Sequence, residues 1–248
     1  MRQASTTIPF ARALETAASG DLRAMSRAGK SVLEMQGIAA KTGHNIVGEV
    51  LRGEGAFVEW QHYPEDDAYD PESHSQYYYH AHPAEQRFEG EHGHFHLFLR
   101  GSGMPDGLAP ADGQELPPNR EAILCHLVGI SMDAFGQPFR LFTTNRWVTG
   151  DIWYSAPDTV CMLDRFRLEA VRPNLAVNRW ITAMVRMYRP QIAELLHARD
   201  AAVAVARRTA SDTEIFEDRR LELLSWMDIS PEQDLQAIAR ALRRSRKS

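Results

Sequence analysis

The apolar periodicity of this chain changes twice, and that restricts the folds open to it. From Pro9 to about Met35, Leu14, Leu22, Met25, Val32 and Leu33 recur at helical spacing in an Ala-rich stretch. Ser19-Gly20-Asp21 reads as a break or cap between two helices. From Asn45 the period shortens to that of strands. Beyond about Pro157 it lengthens again, with Val177, Ile181, Met184, Val185, Tyr188 and Ile192 on one helical face. Ser211-Asp212-Thr213-Glu214 reads as a capping box leading into Phe216, Leu223, Leu224 and Met227. Ser230-Pro231-Glu232-Gln233 is a second one, leading into Leu235, Ile238, Ala239 and Leu242. Helices, then strands, then helices imply an α+β fold. We expect a central antiparallel sheet of about five to seven strands within residues 45–150, flanked by N-terminal and C-terminal helices. Residues 1–248 are read as a single domain: a helical segment 1–44, a β core 45–150 and a helical part 151–248.

Within the core, Ile46–Leu51 and Ala56–Trp60 read as strands around the turn Arg52-Gly53-Glu54-Gly55. Tyr63–Glu72 is acidic and reads as a loop. Gln76–His82 and His92–Arg100 are strands by aromatic content and alternation. Gly101–Arg120 is a long loop and a candidate lid. Ala122–Ile130 and Phe139–Val148 form a hairpin across Asp133–Pro138. Ala28-Gly29-Lys30-Ser31 is not a phosphate loop, because Ala24 stands where the first glycine is required and the context is helical.

Composition narrows the classes. No apolar run is long enough to cross a bilayer, and the N-terminus lacks a signal-type core. Cys125 and Cys161 lie in apolar, strand-like contexts, which suits free thiols in the cytoplasm. The net charge of -5 argues against nucleic acid as a partner. That charge is uneven: residues 54–121 hold 14 acidic and 3 basic side chains, whereas 165–248 hold 16 basic and 11 acidic ones. We expect a small-molecule substrate and no membrane partner, and the oligomeric state stays open.

The histidines carry the chemistry. Seven of the ten, His62, His74, His80, His82, His92, His94 and His96, fall between residues 62 and 96. Alternate strand residues share a face, so His80 pairs with His82 and His94 with His96. Phe95, Leu97 and Leu99 on one strand, and Tyr77, Tyr79 and Ala81 on the other, mark the opposite, core-facing side. A hairpin whose partner numbers sum to an even value would gather the four imidazoles on one face. Such a group suits one divalent transition metal, zinc or iron first, with copper, nickel and manganese as further candidates. His126, on a neighbouring strand with Leu124 and Val128 on its face, adds a further ligand candidate. Glu89 or Glu91 in the connector is assigned as the proton shuttle. Arg140 and Arg146 alternate on one strand, and Arg146 is assigned as the anchor for a substrate anion.

The stretch from His74-Ser75-Gln76-Tyr77-Tyr78-Tyr79-His80-Ala81-His82 through His94-Phe95-His96-Leu97-Phe98 to Thr144-Asn145-Arg146-Trp147 resembles a bacterial family known only as a domain of unknown function. That resemblance implies no activity. His94-Phe95-His96 with His126-Leu127-Val128 resembles the three-histidine zinc site of α-carbonic anhydrases, which implies His94, His96 and His126 as ligands. His92-Gly93-His94-Phe95-His96-Leu97-Phe98 is similar to the histidine-triad pattern of nucleotide hydrolases and transferases, which implies His94 as a nucleophile toward phosphorus. His80-Ala81-His82 followed by Glu85 or Glu89 is similar to the first cupin motif. The leading expectation is a metalloenzyme with a mononuclear site that activates water or dioxygen on a small anionic organic substrate. A non-catalytic metal- or haem-binding sensor and a metal-free histidine-triad-like nucleotide hydrolase or transferase are the competing classes.

Overall fold

The computed structural model describes residues 6–111, 113–209 and 214–245. A two-residue strand, β1 (Thr6–Thr7), precedes two helices, α1 (Arg12–Thr16) and α2 (Ser19–Lys41). Leu22, Met25, Ala28 and Val32 line the buried face of α2 at three- and four-residue steps. Gly29 lies mid-helix, where a Cβ would come 3.0 Å from Leu235 and 3.1 Å from Met187. It serves close packing.

The next segment corrects the sequence reading. Ile46–Val50 is a helix, α3, started by Asn45, whose side chain accepts the Gly48 amide at 2.8 Å. A short apolar run has no period that separates strand from helix, so the cap decides. Residues 56–60 form no strand; Val58 and Trp60 are exposed, and Trp60 adopts a φ of 69°. Conversely, Tyr63–Tyr69 is a strand, β2, in which only Tyr63 and Ala68 are buried. Its acidic residues are what an edge strand needs to stay unpaired on one side.

Four strands follow: β3 (Ser75–His80), β4 (Glu91–Arg100), β5 (Leu124–Asp133) and β6 (Pro138–Thr144). Then come α4 (Arg146–Thr149), α5 (Ala156–Leu163), α6 (Leu175–Met187) and α7 (Arg189–Thr209). The chain returns to the sheet as β7 (Leu223–Asp228) before ending in α8 (Pro231–Arg244). The strand order is β1-β7-β6-β5-β4-β3-β2, antiparallel throughout except for the β1–β7 pair.

β7 lies outside the span expected for the β core and takes up Leu223, Leu224 and Met227, which were expected on a helix. Its place is secured by pairing with β6 and by the Thr143–Ser225 hydroxyl contact of 2.7 Å. Residues 211–213 of the first capping box lie outside the described residues, and Glu214 instead caps a short 3-10 turn at Ile215–Glu217. At α8, Pro231 takes the first turn as expected, but Asp234 rather than Gln233 accepts the Ser230 amide, at 2.8 Å. Cys125 is buried on β5. Cys161 sits exposed on α5 instead of in a strand, and both thiols are free.

The helices pack on one face of the sheet. Tyr77, Tyr79, Phe95, Leu97 and Leu99 point toward them and are fully buried. The Tyr77 hydroxyl donates to Asn178 of α6 at 3.0 Å, and Phe95 lies against Trp180. The other face therefore carries the even-numbered residues of β3 and β4. No described helix is long and apolar enough to cross a membrane.

Candidate metal centre

The β3–β4 register places His80 opposite His94 and Tyr78 opposite His96, an even-sum pairing that puts both histidine strands on one face. The row continues across the sheet as His94–Ser131–Arg140–Asp228, and the adjacent row as His96–Gly129–Phe142–Trp226. His80, His94 and His96 are buried, and each offers a ligand atom within 4.8 Å of the others. His80 Nε2 lies 2.8 Å from His94 Nε2.

Two neighbours set the tautomers. Glu91 Oε1 stands 3.1 Å from His94 Nδ1, which places the His94 proton on Nδ1 and leaves the Nε2 lone pair for a ligand. His96 Nδ1 is 3.0 Å from His126 Nε2. His96 Nε2 is buried with no hydrogen-bond partner among the described residues. A buried polar atom left so costs about 1–3 kcal/mol, and a cation shared with His80 and His94 removes that cost. The donor set, three imidazoles on rigid strands, fits a divalent transition metal.

Electrostatics keep the lone pairs free. Burial, then the neighbouring His94, His82 and His62, pushes His80 down to about 2. Burial and the surrounding imidazoles hold His96 well below the ordinary range for histidine. His126 is brought down to about 3 by burial and by Arg199, and His82 to about 4 by burial and His94. Burial alone would raise Glu91, but its bonds with His94 and the Phe88 amide keep it below the usual carboxylate range.

The remaining candidates fall around this core. His82 lies just past the end of β3, its ring 5.1 Å from His94 and stacked on Trp60 at 4.3 Å. His126 reaches the histidine face through a bulge: Leu97 opposes Val128 but Phe98 opposes His126. Leu127 is the extra residue, so the expectation that His126 and Val128 share a face is corrected; Val128 joins the helix-side core. A second bulge, between Glu91 and Gly93, turns His92 away to meet the Tyr79 hydroxyl at 2.7 Å. His74 bonds Tyr69 at the far end of β3, and His62 stacks on Tyr78 at 3.6 Å.

Glu91 is buried beside His94, whereas Glu89 is exposed in the turn before β4 and takes no part in the described histidine network. Arg146 is not on a strand. It begins α4, where Asn145 caps the turn, and its guanidinium is held by Glu217 at 2.8 Å and lies over Phe216. It does not line the cavity beside the histidines, and neither does any described residue of the 101–120 loop, which leaves the opposite end of β4.

That cavity, of about 640 Å³, is bounded by His82, Glu91, His94 and His96 on one side and by Arg140, Phe142 and Trp226 on the other. Phe142 meets His94 and His96 edge-on, with ring centroids 5.3 and 5.7 Å away. It reaches them across Gly129, where a Cβ would stand 2.2 Å from the Phe142 ring. Gly129, Phe142 and Trp226 were not singled out from sequence, since each reads as ordinary sheet packing until the register aligns them with His96.

The family model for a domain of unknown function, DUF6969, matches residues 26–229. The chain belongs to that family. The match takes in every strand of the DUF6969 sheet from β2 to β7, and with them all three clustered histidines and the residues that orient them. No curated protein and no solved structure matches the chain.

Proposed function

We propose that the chain is a metalloenzyme. One divalent transition metal would be held by His80, His94 and His96, and the small organic substrate would lie in the adjoining cavity. The observation that carries this reading is the partnerless, buried Nε2 of His96 beside the facing Nε2 atoms of His80 and His94. Zinc or iron suits the imidazole set best, with copper, nickel and manganese as further candidates. A bound metal supplies Lewis acidity, or one-electron chemistry in the case of iron, to activate water or dioxygen at the cavity wall.

The protein's own groups do the rest. Glu91 keeps the proton of His94 on Nδ1 and, as part of the cavity wall, offers a carboxylate toward which a substrate or solvent proton passes. Phe142 and Trp226 exclude water from the histidine side. The cavity favours an enzyme over a storage or sensor site, which needs no substrate space beside the ligands. Two free thiols fit a cytoplasmic location.

Elemental analysis of protein purified without a histidine tag is the test. About one metal ion per chain is expected, and none after His96→Ala, with the unfolding transition of that variant still cooperative. Sub-stoichiometric metal, with no uptake of zinc, iron, manganese or copper, would sink the reading. Turnover of small organic acids by the reconstituted wild type, absent in His96→Ala, separates an enzyme from a passive binder.

A further inference from the structure

We infer that the cavity takes a small organic acid of single negative charge, its carboxylate on Arg140 and its apolar body toward His94 and His96. The inference rests on the metalloenzyme reading for what lies at the inner end of the cavity, but the anion site stands on its own observations. Arg140 shares a row with His94, two strands away, so about 10 Å separates their backbones. That leaves room for a short body between the imidazoles and the guanidinium.

The guanidinium lies between two aromatic faces, 4.3 Å from the Phe88 ring and 4.1 Å from that of Trp226. Its side chain is only 16% exposed. Stacking fixes the plane of the fork without using its N–H groups. Asp228 Oδ1 accepts from Nε at 2.8 Å and stands in ion-pair distance of Nη2 at 2.7 Å, and no described residue accepts from Nη1. A planar fork with one edge open toward a cavity is the geometry that binds carboxylates.

Charge sets the class of acid. Arg140, Arg219 and Arg220 line the cavity with Glu91 and Glu222, while Asp228 pairs Arg140 and Asp218 pairs Arg220. Three positive groups thus meet four negative ones. A divalent metal turns that balance to one net positive charge, which a monocarboxylate neutralises and a phosphate dianion overshoots. Phe88, Phe142, Leu221, Leu223 and Trp226 favour an aromatic or branched body over a polyol.

Isothermal titration of the full chain, chelator-treated and zinc-loaded, with benzoate, benzamide and phenyl phosphate tests this. Benzoate is expected to bind the zinc-loaded chain about tenfold tighter than benzamide, as a charge-assisted pair would give. A reduced preference should survive chelation and vanish in Arg140→Gln under both conditions. Asp228→Asn removes the competing carboxylate and should tighten benzoate; an unchanged affinity there overturns the inference even if Arg140→Gln fails to fold. Equal binding of benzoate and benzamide, or tighter binding of phenyl phosphate, also overturns it. A chain that binds no metal yet keeps the Arg140-dependent preference would remove the enzyme reading alone. A loaded chain without that preference would remove only the acid.

Discussion

In the proposed metal centre, one hydrogen bond separates the roles of His96 and His126, which spacing cannot do. A ligand imidazole that gives Nε2 to a metal carries its proton on Nδ1 and needs an acceptor there. For His94 that acceptor is Glu91; for His96 it is His126 Nε2, at 3.0 Å. His126 then donates its own Nδ1 proton toward the Thr144 hydroxyl, 3.5 Å away. We therefore expect His126→Ala to keep one metal per chain but to bind it about 10–100-fold more weakly, as loss of an orienting partner does. His126→Gln, which restores an acceptor, should recover part of the affinity. Competition with a coloured chelator measures both. If His126→Ala loses metal as completely as His96→Ala, His126 is itself a ligand.

At the scale of elements, β5 does more than connect the histidine strands to the cavity. Its bulge at Leu127 turns His126 onto the histidine face, and its Gly129 lets the Phe142 ring lie across the strand toward His94 and His96. Neither device shows in the alternation of Ala122–Ile130, because a bulge changes parity only where a partner strand exists. Gly129→Ala sets a Cβ against the Phe142 ring, so ring or strand must shift. The expected cost is about 1–3 kcal/mol, the usual price of overpacking. Chemical denaturation of the metal-free chain should show that loss, and adding Phe142→Leu should recover part of it. A fully stable Gly129→Ala variant with unchanged metal affinity would show that Phe142 is free to move aside.

For the molecule as a whole, the buried imidazoles make stability depend on pH. His80, His96 and His126 stay neutral in the folded chain, with His80 brought down to about 2 and His126 to about 3 from the ordinary 6.5. Once unfolded, they take up protons below pH 6.5. The unfolded state thus binds more protons than the folded one, and stability falls as the pH drops below 6.5. The limiting slope is about 1.4 kcal/mol per pH unit for each such histidine. Denaturant unfolding of the chelator-treated chain at pH 7, 6 and 5 should show a steep decline, shallower in His80→Asn. A flat profile would mean that these imidazoles are protonated in the fold. Saturating metal should raise the whole profile, since it binds the folded ligands alone.

The alternation of β3 and β4 determined by itself that His80, His94 and His96 face away from Phe95 and Leu97, because side-chain parity is a local property of extended chain. It also determined the α+β class, through the two changes of period. Other features depended on partners far along the chain. Whether Ile46–Val50 coils or extends was decided by the Asn45 cap, and whether Leu223–Asp228 joins the sheet by the free edge of β6. Arg146 and Arg140 look equivalent as sequence, yet tertiary packing gives Glu217 to one and the cavity, between Phe88 and Trp226, to the other. A residue's face follows from its neighbours in the chain; what that face meets follows only from strand order, register and bulges, which are set by contacts across the fold.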